Sequence, residues 1–225
     1  SQLVVTGTQS SGNSTILARI IGMDILPTGD DMVTRMPLNV QMIKLEEKKQ
    51  SLIELWDTNN ASSIRLCSIN ITVPNPTVEE VNSVKLCIEK QTNVIAGEEK
   101  GISAKVLTMK IFSPHIPNLS FTDLPGLVMM PKTDRGQRSD IKDRLERIAI
   151  KYISKPKTIV LAIIQSRVDL ETDIGLALIK KHSNKDTKVI GVLTKPDLMN
   201  DGTHIGKYLM NDISETFKLN YGYYT

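Results

Sequence analysis

The stretch 7–14, which reads GTQSSGNS, contains the residue types that bind phosphate. Its two glycines, Gly7 and Gly12, let successive backbone N–H groups curve around an anion, and Ser14 offers a hydroxyl to Mg²⁺. The apolar run LVV precedes the stretch and the run ILARII follows it closely. This order predicts a strand, a glycine-rich turn and a helix, which is the setting of a phosphate-binding loop (P-loop).

Asn13 is the residue that departs from the P-loop pattern. The pattern has Lys at this position, where its charge lies on the β- and γ-phosphates of a nucleotide. The short amide of Asn13 carries no charge. We therefore expect impaired turnover, whether Asn13 is natural or introduced, because charge on the γ-phosphate in the transition state loses a partner.

A second motif, DLPG at 123–126, follows a predicted strand at 119–122. A carboxylate at the carboxyl end of a strand, here Asp123, can reach the water shell of a metal ion. The N–H of Gly126 can approach a terminal phosphate. Alone, the tetrapeptide is typical of a plain turn, so it gains meaning only from its companions.

A third motif, TKPD at 194–197, follows the apolar run VIGVL. Asp197 can accept both the N1–H and the exocyclic amine hydrogen of guanine, a pair of donors that adenine lacks. The aliphatic stem of Lys195 can lie along the base. This motif favours GTP over ATP.

The rest of the chain supplies elements that would position these motifs. Apolar periodicity predicts strands at 38–45, 107–111 and 158–164, a helix after Thr77, where the sequence TVEE matches a capping box, and a helix at 140–154. Strands alternating with helices predict an α/β fold: a doubly wound, mostly parallel sheet with its ligand at the carboxyl ends of the strands.

Three segments lack such periodicity. The region 58–76, rich in Asn and Ser, is predicted to be a surface excursion. The segments 25–37 and 128–139 contain Pro, Gly and acidic residues and are predicted to be mobile, exposed loops.

Composition narrows the function classes. The chain has 225 residues, 40% of them hydrophobic and 24% charged, which suits one α/β domain. A net charge of +3 without a long basic run argues against nucleic acid as a partner.

Cys67 and Cys87 are far apart in the sequence, without metal-ligand spacing, which favours a reducing, cytoplasmic compartment. The longest apolar run is too short to cross a bilayer.

Taken together, the motifs resemble the dynamin superfamily of large GTPases. The stretches that carry the resemblance are GTQSSG at 7–12, LPTG at 26–29, VTRMPL at 33–38, GIS at 101–103, SPH at 113–115, NL at 118–119, DLPG at 123–126 and GVLTKPDLM at 191–199. The resemblance implies a P-loop NTPase fold with a Ras-like core and dynamin-type insertions, occupying residues 1–225. GTP and Mg²⁺ are the implied ligands.

The resemblance also implies catalytic roles. Gln9 would orient the attacking water, and Ser10 would help to hold a monovalent cation beside the phosphates. Ser14 and Thr34 would ligate Mg²⁺, and the carbonyl of Thr34 would contact the water. The implied nucleotide-binding residues are Gly7, Ser11, Gly12, Asn13, Ser14, Thr15, Asp123, Gly126, Thr194, Lys195 and Asp197.

The implied partners are GTP or GDP and a second copy of the domain, which would dimerise across the nucleotide. Membrane contact, peripheral and from the cytoplasm, would come only through parts of a parent protein that are absent here. Two departures accompany Asn13. Asp31 stands where the family has a second glycine and is expected to displace a carbonyl of the cation site. The chain is also expected to stop before the last guanine-contacting loop and the last strand, without a stalk or lipid-binding module.

Three hypotheses follow for the function. The first is a dynamin-type GTPase domain that hydrolyses GTP in a parent protein that remodels membranes. The second is a weak or inactive nucleotide-sensing scaffold, and Asn13 is the residue that separates these two. The third is a relative of the antiviral Mx type, which differs mainly in a stalk.

Overall fold

The structure is a computed structural model that describes residues 2–9, 11–27, 35–97, 101–128, 140–165, 172–194 and 219–225. Within these ranges nine strands and four helices follow one another in mixed order. They are β1 (Gln2–Gly7), α1 (Asn13–Ile21), β2 (Leu38–Lys44), β3 (Leu52–Asp57), β4 (Ile64–Asn70), α2 (Val78–Ala96), β5 (Leu107–Ser113), β6 (Leu119–Asp123), α3 (Ile141–Ile153), β7 (Thr158–Gln165), α4 (Ile174–His182), β8 (Lys188–Thr194) and β9 (Tyr223–Tyr224).

The chain divides into two compact units. The first contains the residues up to Asn13 and the described residues from Leu124 onward, and the second is Ser14–Asp123. In the first unit, β1, β7, β8 and β9 are neighbours in that order, and every pair is parallel. The predicted doubly wound α/β class with parallel strands is therefore confirmed.

The second unit has the strand order β4-β3-β5-β2-β6. Here β2 and β5 are parallel, whereas β6 pairs with β2, and β3 pairs with both β5 and β4, in the antiparallel sense. Val40 on β2 and Met109 on β5 lie in register and are fully buried. Their alternation with less buried residues is the period of a pleated strand.

Strand β7 is the continuously apolar run predicted at 158–164. Val160, Ala162, Ile163 and Ile164 are all buried, and the strand pairs with β1 on one side and β8 on the other. A strand paired on both edges and covered on both faces has no polar face to show, which explains the missing alternation.

Helix α2 begins with the predicted capping box. The Glu80 N–H donates to the Thr77 hydroxyl (3.1 Å), and the Thr77 N–H donates to the Glu80 carboxylate (2.8 Å). Val84 and Ile88 on this helix are buried, whereas Leu86 is 65% exposed. The buried stripe continues with Thr92 instead, because positions four apart lie on one side of a helix.

The predicted surface excursion at 58–76 contains a strand, β4, which the sequence pattern did not predict, although all of its residues are exposed or half-buried. This strand pairs antiparallel with β3 and, among the described residues, has no strand on its other side in the sheet order. The structure also joins Cys67 on β4 to Cys87 on α2 by a disulfide, a bond that the predicted reducing compartment does not favour.

The predicted mobile loops are described only at their flanks. Residues 28–34 and 129–139 lie outside the described ranges. The flanking Ile25, Leu26 and Met36 are buried, so the predicted exposure is wrong for them. None of the helices in the described part of the chain has the length and apolar composition needed to cross a bilayer.

Candidate functional site

The P-loop follows β1 in the first unit, and its two glycines are sterically required. A Cβ on Gly7 would lie 2.7 Å from the Ser11 hydroxyl oxygen and 2.8 Å from the Ile163 carbonyl oxygen. Gly12 has a φ of 93°, in the left-handed region that side chains disfavour. The loop therefore closes tightly over the end of β1.

Side chains inside the loop bond to one another. The Ser11 hydroxyl, fully buried, lies 2.8 Å from the Thr8 carbonyl oxygen and 2.6 Å from Asn13 Oδ1. The hydroxyl has one proton and donates it to one of these acceptors at a time. The amide of Asn13 is thus part of the internal bonding of the loop and brings no charge to it.

The DLPG motif continues beside the P-loop. The Leu124 N–H donates to the Val5 carbonyl (3.0 Å), and the Leu127 N–H donates to the Gly7 carbonyl (2.9 Å). In return, the Gln9 N–H donates to the Leu127 carbonyl (3.1 Å). These three bonds bring residues 124–127 alongside the start of the P-loop.

Gly126 lies against Gln9 as a result. A Cβ on Gly126 would lie 2.8 Å from Gln9 Cα and 3.1 Å from Gln9 N, both backbone atoms that cannot rotate away. The side chain of Gln9 is exposed and remains available for a ligand.

Gly126→Ala is therefore expected to push the two segments apart. We expect the free energy of unfolding to fall by about 1–3 kcal/mol, as in overpacked sites, and nucleotide affinity to fall with it. Denaturant unfolding and nucleotide titration would measure both. Gly22→Ala is the control: Gly22 has a φ of 84° but open space around its Cβ position. An equal loss of nucleotide affinity in this control would contradict the prediction.

The end of β8 is also bonded to the P-loop. The hydroxyl of buried Thr194 donates to the Ser11 carbonyl and lies 3.3 Å from the Ile164 carbonyl oxygen. Lys195 and Asp197 follow directly in the sequence, but they lie outside the described residues, as do Ser10 and Thr34.

The start of α4 packs on the same loop, which sequence reasoning missed. Asp173 caps the helix by accepting from the Leu176 N–H (2.8 Å). Burial raises the pKa of Asp173, although backbone N–H donors oppose this. A Cβ on Gly175 would lie 3.9 Å from Gly7 Cα and 3.7 Å from a Leu127 methyl carbon. The sequence feature that could have indicated this helix start is an Asp, a favoured capping residue, directly before an apolar helical run.

In the second unit, a cavity of about 30 Å³ is lined by Ser14, Asp123, Arg35 and Thr92 together with apolar side chains. Asp123 is 5% exposed, and its Oδ1 makes no hydrogen bond to any described residue. Burial raises the pKa of Asp123 to about 8.

An orphaned, buried carboxylate oxygen requires a partner. This oxygen and the Ser14 hydroxyl, which lines the same cavity, are suitable ligands for Mg²⁺. Mg²⁺ binds oxygen ligands and keeps several of its waters, so a site needs only a few protein ligands. Among the described residues there is no cluster of three or more His, Cys, Asp or Glu side chains that could hold a metal by themselves.

Arg35, one residue after Thr34, is buried, and each of its three guanidinium nitrogens donates a hydrogen bond. Its Nε donates to the Gly101 carbonyl (3.0 Å), Nη1 to Asn93 Oδ1 (2.9 Å) and Nη2 to the Gly97 carbonyl (3.0 Å). Burial lowers its pKa. These bonds tie the segment after Thr34 to the end of α2, which no local sequence pattern indicates.

Arg35→Lys is expected to lower the free energy of unfolding by about 2–3 kcal/mol, because one ammonium group cannot reproduce the three directed bonds of a guanidinium. Chemical denaturation would measure the loss. Arg65→Lys is the matched control, since Arg65 is largely exposed and forms one 3.3 Å ion pair with Glu54. The control should change stability by less than about 0.5 kcal/mol. Similar losses in both variants would contradict the assignment.

The predicted site residues that the structure describes therefore fall into three groups. The first unit brings together Gly7, Gln9, Ser11, Gly12, Asn13, Gly126 and Thr194. Ser14 and Asp123 share the cavity of the second unit. Thr15 is exposed on α1.

Comparison with known proteins supplies the family. The model of the Dynamin family matches residues 3–196. Dynamin-A of Dictyostelium discoideum is 36% identical over 202 residues, covering 90% of this chain and 22% of that protein. Dynamin-1-like protein of Danio rerio is 33% identical over 212 residues (94% and 30%), and Vacuolar protein sorting-associated protein 1 of Schizosaccharomyces pombe is 35% identical over 210 residues (91% and 30%).

The chain thus spans less than a third of the length of these curated relatives. The family model, by contrast, covers most of the chain and includes the P-loop, DLPG and the start of TKPD. This chain belongs to the dynamin family.

Proposed function

We propose that this chain is a GTP-binding domain that hydrolyses GTP with Mg²⁺, slowly because of Asn13. The observation that carries the proposal is the set of backbone bonds between residues 124–127 and the P-loop. A P-loop binds the phosphates of a nucleotide, and the N–H of a glycine held against the loop would contact the terminal phosphate.

The phosphates would be bound by backbone N–H groups of the P-loop at the start of α1. The internal bonds of Ser11 preform this loop, so little order has to be gained on binding. Gly7 and Gly12 have no side chains that would crowd the loop at these two positions. Asn13 would slow hydrolysis, because transfer of the γ-phosphoryl group to water needs stabilisation of negative charge and Asn13 carries no positive charge.

Ser14 and Asp123 would hold Mg²⁺, with Thr34 as a further ligand proposed from the family. The metal would neutralise charge on the β- and γ-phosphate oxygens. Asp123 must lose its proton to serve, and burial makes this costly in the metal-free chain. Gln9, exposed beside Gly126, would orient the attacking water, and Ser10 would help to hold a monovalent cation.

Guanine would be read by Lys195 and Asp197. Support comes from Thr194, whose bond to the Ser11 carbonyl fixes the residue before them against the P-loop. Displacement of a fluorescent GTP analogue by GTP, but not by ATP, would test this. Asp197→Asn should exchange GTP preference for xanthosine triphosphate, because xanthine offers an oxygen where guanine has an amine. ATP binding as tight as GTP binding would disprove the proposal.

Self-association and membrane remodelling are proposed for the parent protein from the family alone. Two domains would face each other across the nucleotide. Sedimentation with GDP and a γ-phosphate transition-state mimic should show a dimer that is absent with GDP. A monomer under both conditions would disprove dimerisation for this chain.

A nucleotide-sensing scaffold is the second candidate, and the uncharged, internally bonded Asn13 favours it. The two candidates share the fold and guanine preference and differ in turnover. Single-turnover hydrolysis separates them: a scaffold would bind GTP and leave it intact.

A further inference from the structure

A second concentration of charge lies in the first unit, where β7 and β8 begin. The segments 151–157 and 180–188, which lead into these strands, carry seven lysines against one aspartate, a net charge of +6. The whole chain carries +3. The basic excess of the protein is therefore concentrated at this end of the sheet.

Hydrogen bonds hold these segments in place. Asn184 Nδ2 donates to the Ser154 carbonyl (3.3 Å), which links the two turns. Asn220 Nδ2 donates to the Thr187 carbonyl (2.8 Å), and the Val189 N–H donates to Asn220 Oδ1 (2.7 Å). The lysines thus stand on turns that are bonded to one another.

An open depression of about 510 Å³ lies among these turns, and we call it the lysine depression. Its charged lining residues are Lys157, Lys185, Lys188 and Asp186. All three lysines are exposed and form no ion pair within the described part of the chain. Lys188 Nζ lies 5.6 Å from the centre of the Tyr221 ring, which also lines the depression.

The lysine depression is separate from the P-loop. Strands β1, β7 and β8 are parallel, so Gly7 and Thr194 lie at the carboxyl ends of their strands, whereas Lys157 and Lys188 lie at the amino ends of theirs. The length of a seven-residue strand, about 20 Å, separates these ends. A nucleotide on the P-loop leaves the depression free.

We propose that the lysine depression binds a multiply charged phosphate anion. Ammonium groups bind phosphate as point charges and do not require the planar, two-pronged geometry of arginine. In an exposed site a single ion pair contributes little, so a ligand gains affinity by meeting all three lysines at once. A free polyphosphate and a phosphorylated lipid headgroup both present such charge.

Calorimetric titration of this chain with inorganic tripolyphosphate tests the proposal, with excess GDP and Mg²⁺ present to occupy the P-loop. Replacing the three lysines together (K157Q/K185Q/K188Q) should weaken binding about tenfold or more, since each lost contact costs a few-fold. The matched control K44Q/K48Q/K49Q removes the same charge from exposed lysines of the second unit and should stay within about twofold. Wild-type affinity should fall as salt rises.

Equal losses in both triple variants, or no loss in the first, would overturn the proposal. Binding of polyglutamate as tight as that of tripolyphosphate would overturn it too, since the site would then select acidic peptides. If the first triple variant does not fold, Lys185→Glu on the exposed turn should still weaken binding several-fold, and unchanged binding would count against the site.

Vesicles distinguish the sources of phosphate. Sedimentation with phosphatidylcholine vesicles that contain phosphatidylinositol 4,5-bisphosphate, but not with pure phosphatidylcholine, would support a lipid-borne ligand. Tripolyphosphate binding without vesicle binding would support a free one. A chain that binds tripolyphosphate at these lysines but fails to bind GTP would disprove the proposed function and leave this inference standing.

Discussion

Asn13→Lys is expected to raise the single-turnover rate of GTP hydrolysis by about 10²–10³-fold, the range found when one preorganised partner of a transition-state charge is restored. The lysine would supply the positive charge that the P-loop lacks. It would also lose the Ser11 contact, which costs about 1 kcal/mol and is smaller than the gain. Rapid quench of enzyme in excess over labelled GTP would measure the rate.

Two controls separate charge from shape at position 13. Asn13→Met has nearly the length of lysine without its charge and should not raise the rate. Asn13→Ala removes the amide from the loop and should lower GTP affinity by a few-fold, because the preformed Ser11 network loses a member. An equal gain in the Met and Lys variants would contradict the charge explanation.

Asp123→Asn is expected to have opposite effects on activity and on stability. Hydrolysis with Mg²⁺ should fall at least about 100-fold, because a neutral amide is a poor substitute for a carboxylate at the metal. The metal-free protein, however, should gain a few kcal/mol of stability at pH 8, since folding no longer has to neutralise a carboxyl that is ionised in the unfolded chain. Quenched-flow assays and urea unfolding with EDTA would measure the two effects.

The burial of Asp123 decides whether stability rises or falls with pH. Asp123 has a pKa of about 8 in the folded chain, raised by burial from an ordinary 3.8. Between these values the unfolded chain has lost the proton that the folded chain retains. Unfolding therefore releases a proton, so stability falls as pH rises from about 4 to about 8 and then levels off.

Asp57→Asn serves as the control with the opposite sign. Hydrogen bonds from the Asn59 backbone and side chain lower the pKa of Asp57, which is half-buried. Asp57 therefore stabilises the folded chain at pH values above its ordinary pKa. This stabilisation disappears as the pH falls through the lowered pKa of the folded chain. The wild-type slope between pH 4 and 8 should become shallower in Asp123→Asn, where Asp173, another carboxyl whose pKa burial raises, still contributes to it. The slope should be unchanged in Asp57→Asn. An equal slope in both variants would contradict the assignment to Asp123.

The sequence by itself determined the parts of this protein that depend on neighbours along the chain. The P-loop glycines, the Thr77 capping box and the buried strand at 158–164 are set by bonds or patterns spanning a few residues. Such features follow from backbone geometry and local hydrogen bonding. The order of the P-loop, DLPG and TKPD motifs along the chain indicated the family.

Tertiary structure alone decided the features that join distant segments. Arg35 bonds to partners 58 to 66 residues away, and Thr194 bonds to the Ser11 carbonyl across 183 residues. Strand β4 exists because β3 offers it an edge, and the raised pKa of Asp123 exists because other elements bury it. The physical reason is the same in each case: burial and pairing at a residue depend on which remote segments pack against it, and one local sequence is compatible with many such neighbours.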